Sequence, residues 1–258
     1  MNYGMNLAAS GVLTNLYRMD VLANNLANSG TPGFKAISPG TRERDVARVE
    51  DGLAFLPSNT ALERLGAGAM LMGHRVSHAQ GGVEKTDRPL DVAIEGRGFL
   101  VVQTGEGVDS EALRLTRDGR LTRNARGELV QASTGLPVLD TANKPITLTG
   151  DGPVRINRDG TISQGAGVVA RLQLASVASP ERLRPLGNGL FQGDNRLIAS
   201  RKAADATLTQ GAVESSSVDA VKTMMDITSA ERAVGANLRM ITLYDQLMER
   251  AVSLGRVA

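Results

Sequence analysis

Both ends of this 258-residue chain are helical in pattern and poor in core-type packing of their own, and that pairing restricts the fold more than any other feature. Among the first 35 residues only Arg18, Asp20 and Lys35 are charged. Met5, Ala9, Val12, Leu16, Met19, Ala23 and Leu26 step by alternating fours and threes, the heptad spacing of a coiled-coil seam. The opposite face carries Asn, Ser, Thr and Ala, which are desolvated cheaply once they find hydrogen bonds. Ser29-Gly30-Thr31-Pro32-Gly33 then stops the helix, because glycine and proline together break the pattern.

The last helix is predicted to start after Ser215-Ser216-Ser217, any of which suits an N-cap, with Asp219 favourable in the first turn. Its seam reads Ala220, Met224, Ile227, Glu231, Val234, Leu238, Ile241, Asp245, Met248 and Val252. A second stripe adjoins it: Ala230, Ala233, Met240, Tyr244, Leu247, Ala251 and Leu254. Together they make an apolar face wider than one partner helix covers. Two readings stay open, packing on the chain's own domain and packing between subunits. Gly235 inside this helix costs about 1 kcal/mol relative to alanine.

Residues 82–200 read as strands and turns. Leu90-Asp91-Val92-Ala93-Ile94-Glu95 alternates as a half-buried strand should, which puts Asp91 and Glu95 on a solvated face. Asp-Gly turns recur at Asp118-Gly119, Asp151-Gly152 and Asp159-Gly160. Thr116–Thr122 and Asn157–Ser163 echo each other, as a repeated hairpin unit would. The predicted architecture is α+β: N- and C-terminal helices forming a coiled-coil-like layer, with a central all-β domain inserted between them. The segments are an assembly helix and stop motif at 1–35, a connecting stretch without a clear pattern at 36–81, a β-rich domain at 82–205, and a second assembly helix at 206–258.

Composition excludes several function classes. Cysteine is absent, so no disulfide or thiol chemistry operates. Basic and acidic residues number 29 and 27 and are interspersed, and aromatics make up 3%, which argues against a nucleic-acid surface. No run of apolar residues is long enough for a membrane helix, and the N-terminus lacks the layout of a cleaved secretory signal. No nucleophile elbow or Walker loop occurs. The two histidines, His74 and His78, have the spacing of one helix face but lack a third metal ligand and a glutamate base. No catalytic, cofactor or metal residue is predicted.

The motifs at both ends are specific. Asp20-Val21-Leu22-Ala23-Asn24-Asn25-Leu26-Ala27-Asn28, followed by Thr31-Pro32-Gly33-Phe34-Lys35, resembles the N-terminal signature of flagellar rod and hook axial proteins. Gln210–Asp219, with Arg232, Asn237 and Thr242–Met248, is similar to the second signature of that family. Lys85–Phe99, Leu115–Gly119 and Gly187–Phe191 resemble segments of its β-rich domain. Ser216-Ser217-Val218 stands where the family commonly has Ser-Asn-Val, and Val234-Gly235 where it often has an aromatic and a glutamate.

The resemblance implies a non-enzymatic subunit that polymerises through its terminal helices into a hollow axial tube, transmitting torque and carrying the export channel. It implies export of the unfolded chain by the flagellar type III apparatus and a place in the periplasm-spanning rod. Other rod and hook proteins, and the surrounding rings, are the implied partners, with no nucleic acid and no membrane insertion. Thr86–Ile94 and Thr134–Leu139 look most like the proximal-rod member, with the distal rod next. Seam and signatures together put the subunit interface at Leu16, Met19, Ala23, Asn24, Asn25, Leu26, Asn28, Val234, Asn237, Leu238, Ile241, Asp245 and Met248. Two other classes compete: an extracellular adhesin or sheath-like module with a helical stalk, and a secreted β-domain hydrolase. A stable trimer in dilute solution marks the first, and an activity lost with one carboxylate marks the second.

Overall fold

The structure, a computed structural model, describes residues 3–46, 49, 68–105, 112–150, 152–165, 167–194, 198 and 202–255. It begins with helix α1 (Tyr3–Ala27), followed by β1 (Ile37–Glu43) and β2 (Ala69–Val76). Then come β3 (Val83–Lys85), β4 (Val92–Gly96), β5 (Phe99–Gln103), β6 (Leu113–Thr116), β7 (Leu121–Arg123) and β8 (Leu129–Gln131). The next strands are β9 (Val154–Ile156), β10 (Thr161–Gln164), β11 (Gly167–Arg171) and β12 (Leu174–Ser176). The series closes with β13 (Arg184–Gly187), β14 (Leu190–Gln192), β15 (Lys202–Ala203), β16 (Ala206–Gln210), β17 (Ala212–Glu214) and helix α2 (Ala220–Gly255). The architecture is α+β, with a helix at each end and a β-rich region between them. Two compact units result: Met1–Ala27 with Ile37–Arg75 and Asp219–Ala258, and Asn28–Ala36 with Val76–Val218.

In the first unit α1 and α2 pack antiparallel. A Cβ on Gly4 would run into the Tyr244 phenol, and one on Gly11 into the Asn237 amide. Arg18 reaches Asp226 at 3.8 Å. Ala8 and Leu22 on α1, and Thr223 and Ala230 on α2, are buried. The α1 face is therefore Gly4, Ala8, Gly11 and Leu22, and the α2 face is Thr223, Ala230, Asn237 and Tyr244. Both keep heptad spacing. Each lies one residue, about 100° of helix rotation, before the seam expected from apolar periodicity. Small residues let the helices approach closely, and the bulkier stripe is left to one side. Asp219, rather than a serine, caps α2: its carboxylate accepts from the Lys222 amide at 3.0 Å. Helix α2 runs through Gly235 without interruption.

The second unit is built on a six-stranded sheet in the order β13-β14-β6-β5-β12-β15. Its central strand β5 explains the continuous apolar run Phe99-Leu100-Val101-Val102. Leu100 and Val102 enter a core with Ile94, Leu129, Ile146, Ile162 and Leu172. Phe99 and Val101 enter another with Leu113, Leu115, Phe191 and Ile198. Two covered faces need apolar residues at every position. The same holds for β4, where Val92, Ala93 and Ile94 are all buried, so the expected half-exposed strand is not found. Asp91 is buried too and accepts a hydrogen bond from the Thr86 hydroxyl at 2.8 Å. Only Glu95 lies on the solvated face.

Asp159-Gly160 makes the expected hairpin turn between β9 and β10, with Gly160 at φ 86°. Asp118-Gly119 does not. Strand β6 pairs with β5 and β14 while β7 pairs with β8, so this stretch turns a corner between sheets. Asp118 is buried there because Arg120 grips both its oxygens, at 2.9 and 2.8 Å, and Ser133 adds a third bond at 3.0 Å. The echo between the two segments is thus not a repeated unit. Asp151 lies outside the described residues. Gly187, Asn188 and Gly189 all have positive φ, at 90°, 51° and 71°, which accounts for that motif as the turn joining β13 to β14. His74 and His78 lie on and just after β2, not on a helix.

Candidate functional site

Two groups of residues carry the signatures found at the chain ends, and they do different work. The first is a buried junction inside the β unit. Gly33 sits at φ 69°, and a Cβ there would collide with the Arg117 backbone, so no other residue fits without strain. Its amide donates to the Glu214 carbonyl at 2.7 Å. Two residues on, Lys35 is 2% exposed. Its Nζ donates to Glu214 Oε1 at 2.6 Å and to the Ala79 carbonyl at 2.7 Å. Arg117 Nη1 donates to Glu214 Oε2 at 3.0 Å, and the Gly81 amide donates to Oε1 at 2.9 Å. Ser217 continues the junction: its amide donates to the Phe34 carbonyl at 3.0 Å, and its hydroxyl accepts from the Ala36 amide at 2.9 Å.

Glu214 is thus the centre of a desolvated cluster, a carboxylate with two cations and an amide around it. Burial pulls the Lys35 ammonium below the usual lysine range, and the bond to Glu214 opposes that shift. Such a cluster adds little net stability compared with apolar packing, but breaking it leaves buried charge uncompensated. It ties the segment that follows α1 to the strand that precedes α2.

The second group is the helix surface. Leu16 is 42% exposed and Leu13 63% exposed on α1; Leu238 is 48% exposed and Met248 44% exposed on α2. Ala23, Asn24 and Asp245 are exposed, while Met19, Leu26, Asn28, Val234 and Ile241 are half-buried. Asn25 is buried, with its amide spent inside the chain: Nδ2 donates to the Ile37 carbonyl at 2.7 Å and Oδ1 accepts from the Ile37 amide at 2.9 Å. Asn28 accepts from the Thr31 hydroxyl at 3.2 Å, which closes the turn after the helix. Asn237 faces Gly11. Leu16, Ala23, Asn24, Leu238, Asp245 and Met248 are therefore exposed, whereas Asn25 and Asn237 are turned to partners within the chain.

Residues 5–35 match the family described as flagella basal body rod protein. Residues 93–164 match the flagellar hook protein FlgE/F/G D1 domain, and 209–254 the flagellar basal body rod FlgEFG protein C-terminal region. The flagellar basal-body rod protein FlgF of Caulobacter vibrioides is 31% identical over 261 residues, spanning 100% of both chains. This chain belongs to the flagellar basal-body rod protein family. FlgF of Escherichia coli K12 is 31% identical, covering 98% of each chain. FlgG of Buchnera aphidicola from Acyrthosiphon pisum is 29% identical, covering 96% of this chain and 98% of its own. The chain is a structural subunit of the flagellar basal-body rod, and the adhesin and hydrolase readings are not favoured. Lys35 and Glu214 both fall inside matched segments. Among the described residues no helix is long and apolar enough to cross a membrane.

Proposed function

We propose that this rod subunit polymerises through α1 and α2, with the stripe beside the intrachain seam buried against neighbouring copies in a coiled-coil-like layer. The observation that carries this is the offset described above. Intrachain packing consumes the small-residue faces, and apolar side chains stay exposed on both helices: Leu7, Leu13 and Leu16 on α1, and a longer series of leucine, methionine and valine on α2. Exposed apolar surface of that extent marks an association site. Helical assembly then gives a hollow tube that transmits torque and encloses the export channel. Within the expected assembly segments 1–35 and 206–258, helices α1 and α2 supply the assembly surface, while residues 28–35 and strands β16 and β17 belong to the β unit. The partners are copies of the chain, other rod and hook proteins, and the surrounding rings. The flagellar type III apparatus exports it, and the proximal rod is its place on the likeness of Thr86–Ile94 and Thr134–Leu139 to that member.

Leu238→Asp against Arg239→Asp tests this reading. Burying a leucine contributes about 1.5–3 kcal/mol, and a carboxylate in a packed interface adds a desolvation penalty of several kcal/mol. Leu238 is half-exposed within one chain, so its replacement leaves the chain folded and the loss falls on assembly. Leu238→Asp is expected to abolish swimming while Arg239→Asp is mild. Equal impairment, or normal swimming of Leu238→Asp, contradicts the proposed face.

A further inference from the structure

The β unit contains a cavity of about 730 Å³ beside the Lys35–Glu214–Arg117 cluster, and assembly through the terminal helices does not account for it. Its apolar wall is Phe99, Val177 and Pro180, and its polar wall sets His78, Arg97 and Arg117 against one carboxylate, Glu181. The volume falls in the range of pockets that take small organic groups. Two features of this wall and of the cluster behind it, which reaches the cavity through Arg117, call for an anion. The buried cluster holds two cations and one carboxylate, so it carries one uncompensated positive charge. In addition, both ring nitrogens of His78 and Nε of Arg117 are buried without a hydrogen-bond partner. Buried polar atoms without partners are rare in native proteins, and here three of them belong to two residues lining one cavity.

Phe99 and Phe191 flank the His78 ring, each at 5.7 Å between centroids, and the Arg117 guanidinium lies 5.4 Å from the Phe99 centroid. These contacts fix where the imidazole and guanidinium sit. Burial holds the His78 imidazole below its ordinary range, and the charges of Lys35 and Arg117 push the same way. The Pro180 carbonyl and Glu181 favour the protonated ring, the carbonyl without reaching hydrogen-bonding geometry. An anion entering the cavity would reverse the balance.

We propose that this cavity binds a carboxylate borne on a short apolar stem, the stem against Phe99, Val177 and Pro180 and the carboxylate between Arg97, Arg117 and His78. The carboxylate comes either from a free short-chain acid or from an Asp or Glu side chain of a neighbouring subunit. The full-length chain with His74→Gln leaves His78 as the single histidine, so its resonances report on the cavity without ambiguity.

Butyrate is titrated into dilute protein at constant ionic strength, with chloride as the control. A saturable His78 shift, accompanied by a rise in its pKa, supports the site and a free acid as occupant. A shift that arises on pelleting assembled protein without butyrate, and is lost in Leu238→Asp, supports the site and a subunit side chain as occupant. Filling the exposed mouth with Ala178→Phe is expected to abolish either shift, and Arg97→Gln to weaken butyrate binding about tenfold. Absence of both shifts overturns the proposal, as does a shift that Ala178→Phe leaves unchanged.

Discussion

Replacing Glu214 by glutamine keeps the shape of the side chain and removes its charge. The amide oxygen, in the place of Oε1, still accepts from Gly81 and Lys35, but Nε2 then points a donor at the buried Arg117 guanidinium, and neither cation keeps its counter-charge. Removing one partner from a buried charge cluster costs about 3–5 kcal/mol. A unit of this size loses roughly 2–4 °C of melting temperature per kcal/mol, so a fall of about 6–20 °C is expected. Glu214→Gln should be read by the thermal melt of the strand signal in circular dichroism. The matched control is Asp194→Asn. Asp194 pairs with Arg182 at 2.8 Å, but both side chains are more than half exposed, and such pairs contribute about 0–1 kcal/mol. If Glu214→Gln melts within 1 °C of Asp194→Asn, the cluster does not hold the junction together.

Three further outcomes are expected. Gly235→Ala should stabilise α2 by about 0.5–1 kcal/mol, because a Cβ there meets nothing within 4 Å, and a lower helical melting temperature would contradict this. His78 titrates below its reference of 6.5 in the folded chain, so the unfolded chain takes up the proton first and stability falls as the pH drops below that value. His78→Gln should flatten the slope of melting temperature against pH in that window, and an unchanged slope counts against a buried neutral imidazole. Limited proteolysis of dilute protein should remove α1 and α2 but leave a peptide containing residues 28–36 bound to the β unit through gel filtration. Its loss would show that the Lys35–Glu214 junction does not survive cutting.

The helices are legible in the sequence because their apolar residues recur over many turns, and α1 ends at Ala27, just ahead of the Ser29–Gly33 stop motif. What periodicity missed was which stripe the two helices use on each other. A hydrophobic stripe is weighted towards large side chains, whereas close antiparallel packing selects Gly4, Ala8 and Gly11, which carry little hydrophobic signal. The paired strands β1 and β2 carry no periodic signal for a related reason: Met70, Leu71 and Met72 are consecutive and all exposed, so no alternation marks them. A carboxylate in a strand pattern reads as solvated, and the Thr86 hydroxyl that permits the burial of Asp91 is five residues away. Lys35 and Glu214 are 179 residues apart, and no local pattern links them. One trace was present: each is the lone charge within a stretch of small and apolar residues in its own signature, a setting in which an unpaired charge is costly.

Electron microscopy of basal bodies from a strain lacking this chain, and from the same strain with the chain restored, tests the rod assignment most directly. The deletion is expected to give basal bodies without a complete rod, lacking hook and filament. Restoring the full-length chain should return the rod, with the subunit recovered in purified basal bodies. Restoring Leu238→Asp should not. Intact rods and normal swimming in the deletion strain would contradict the account.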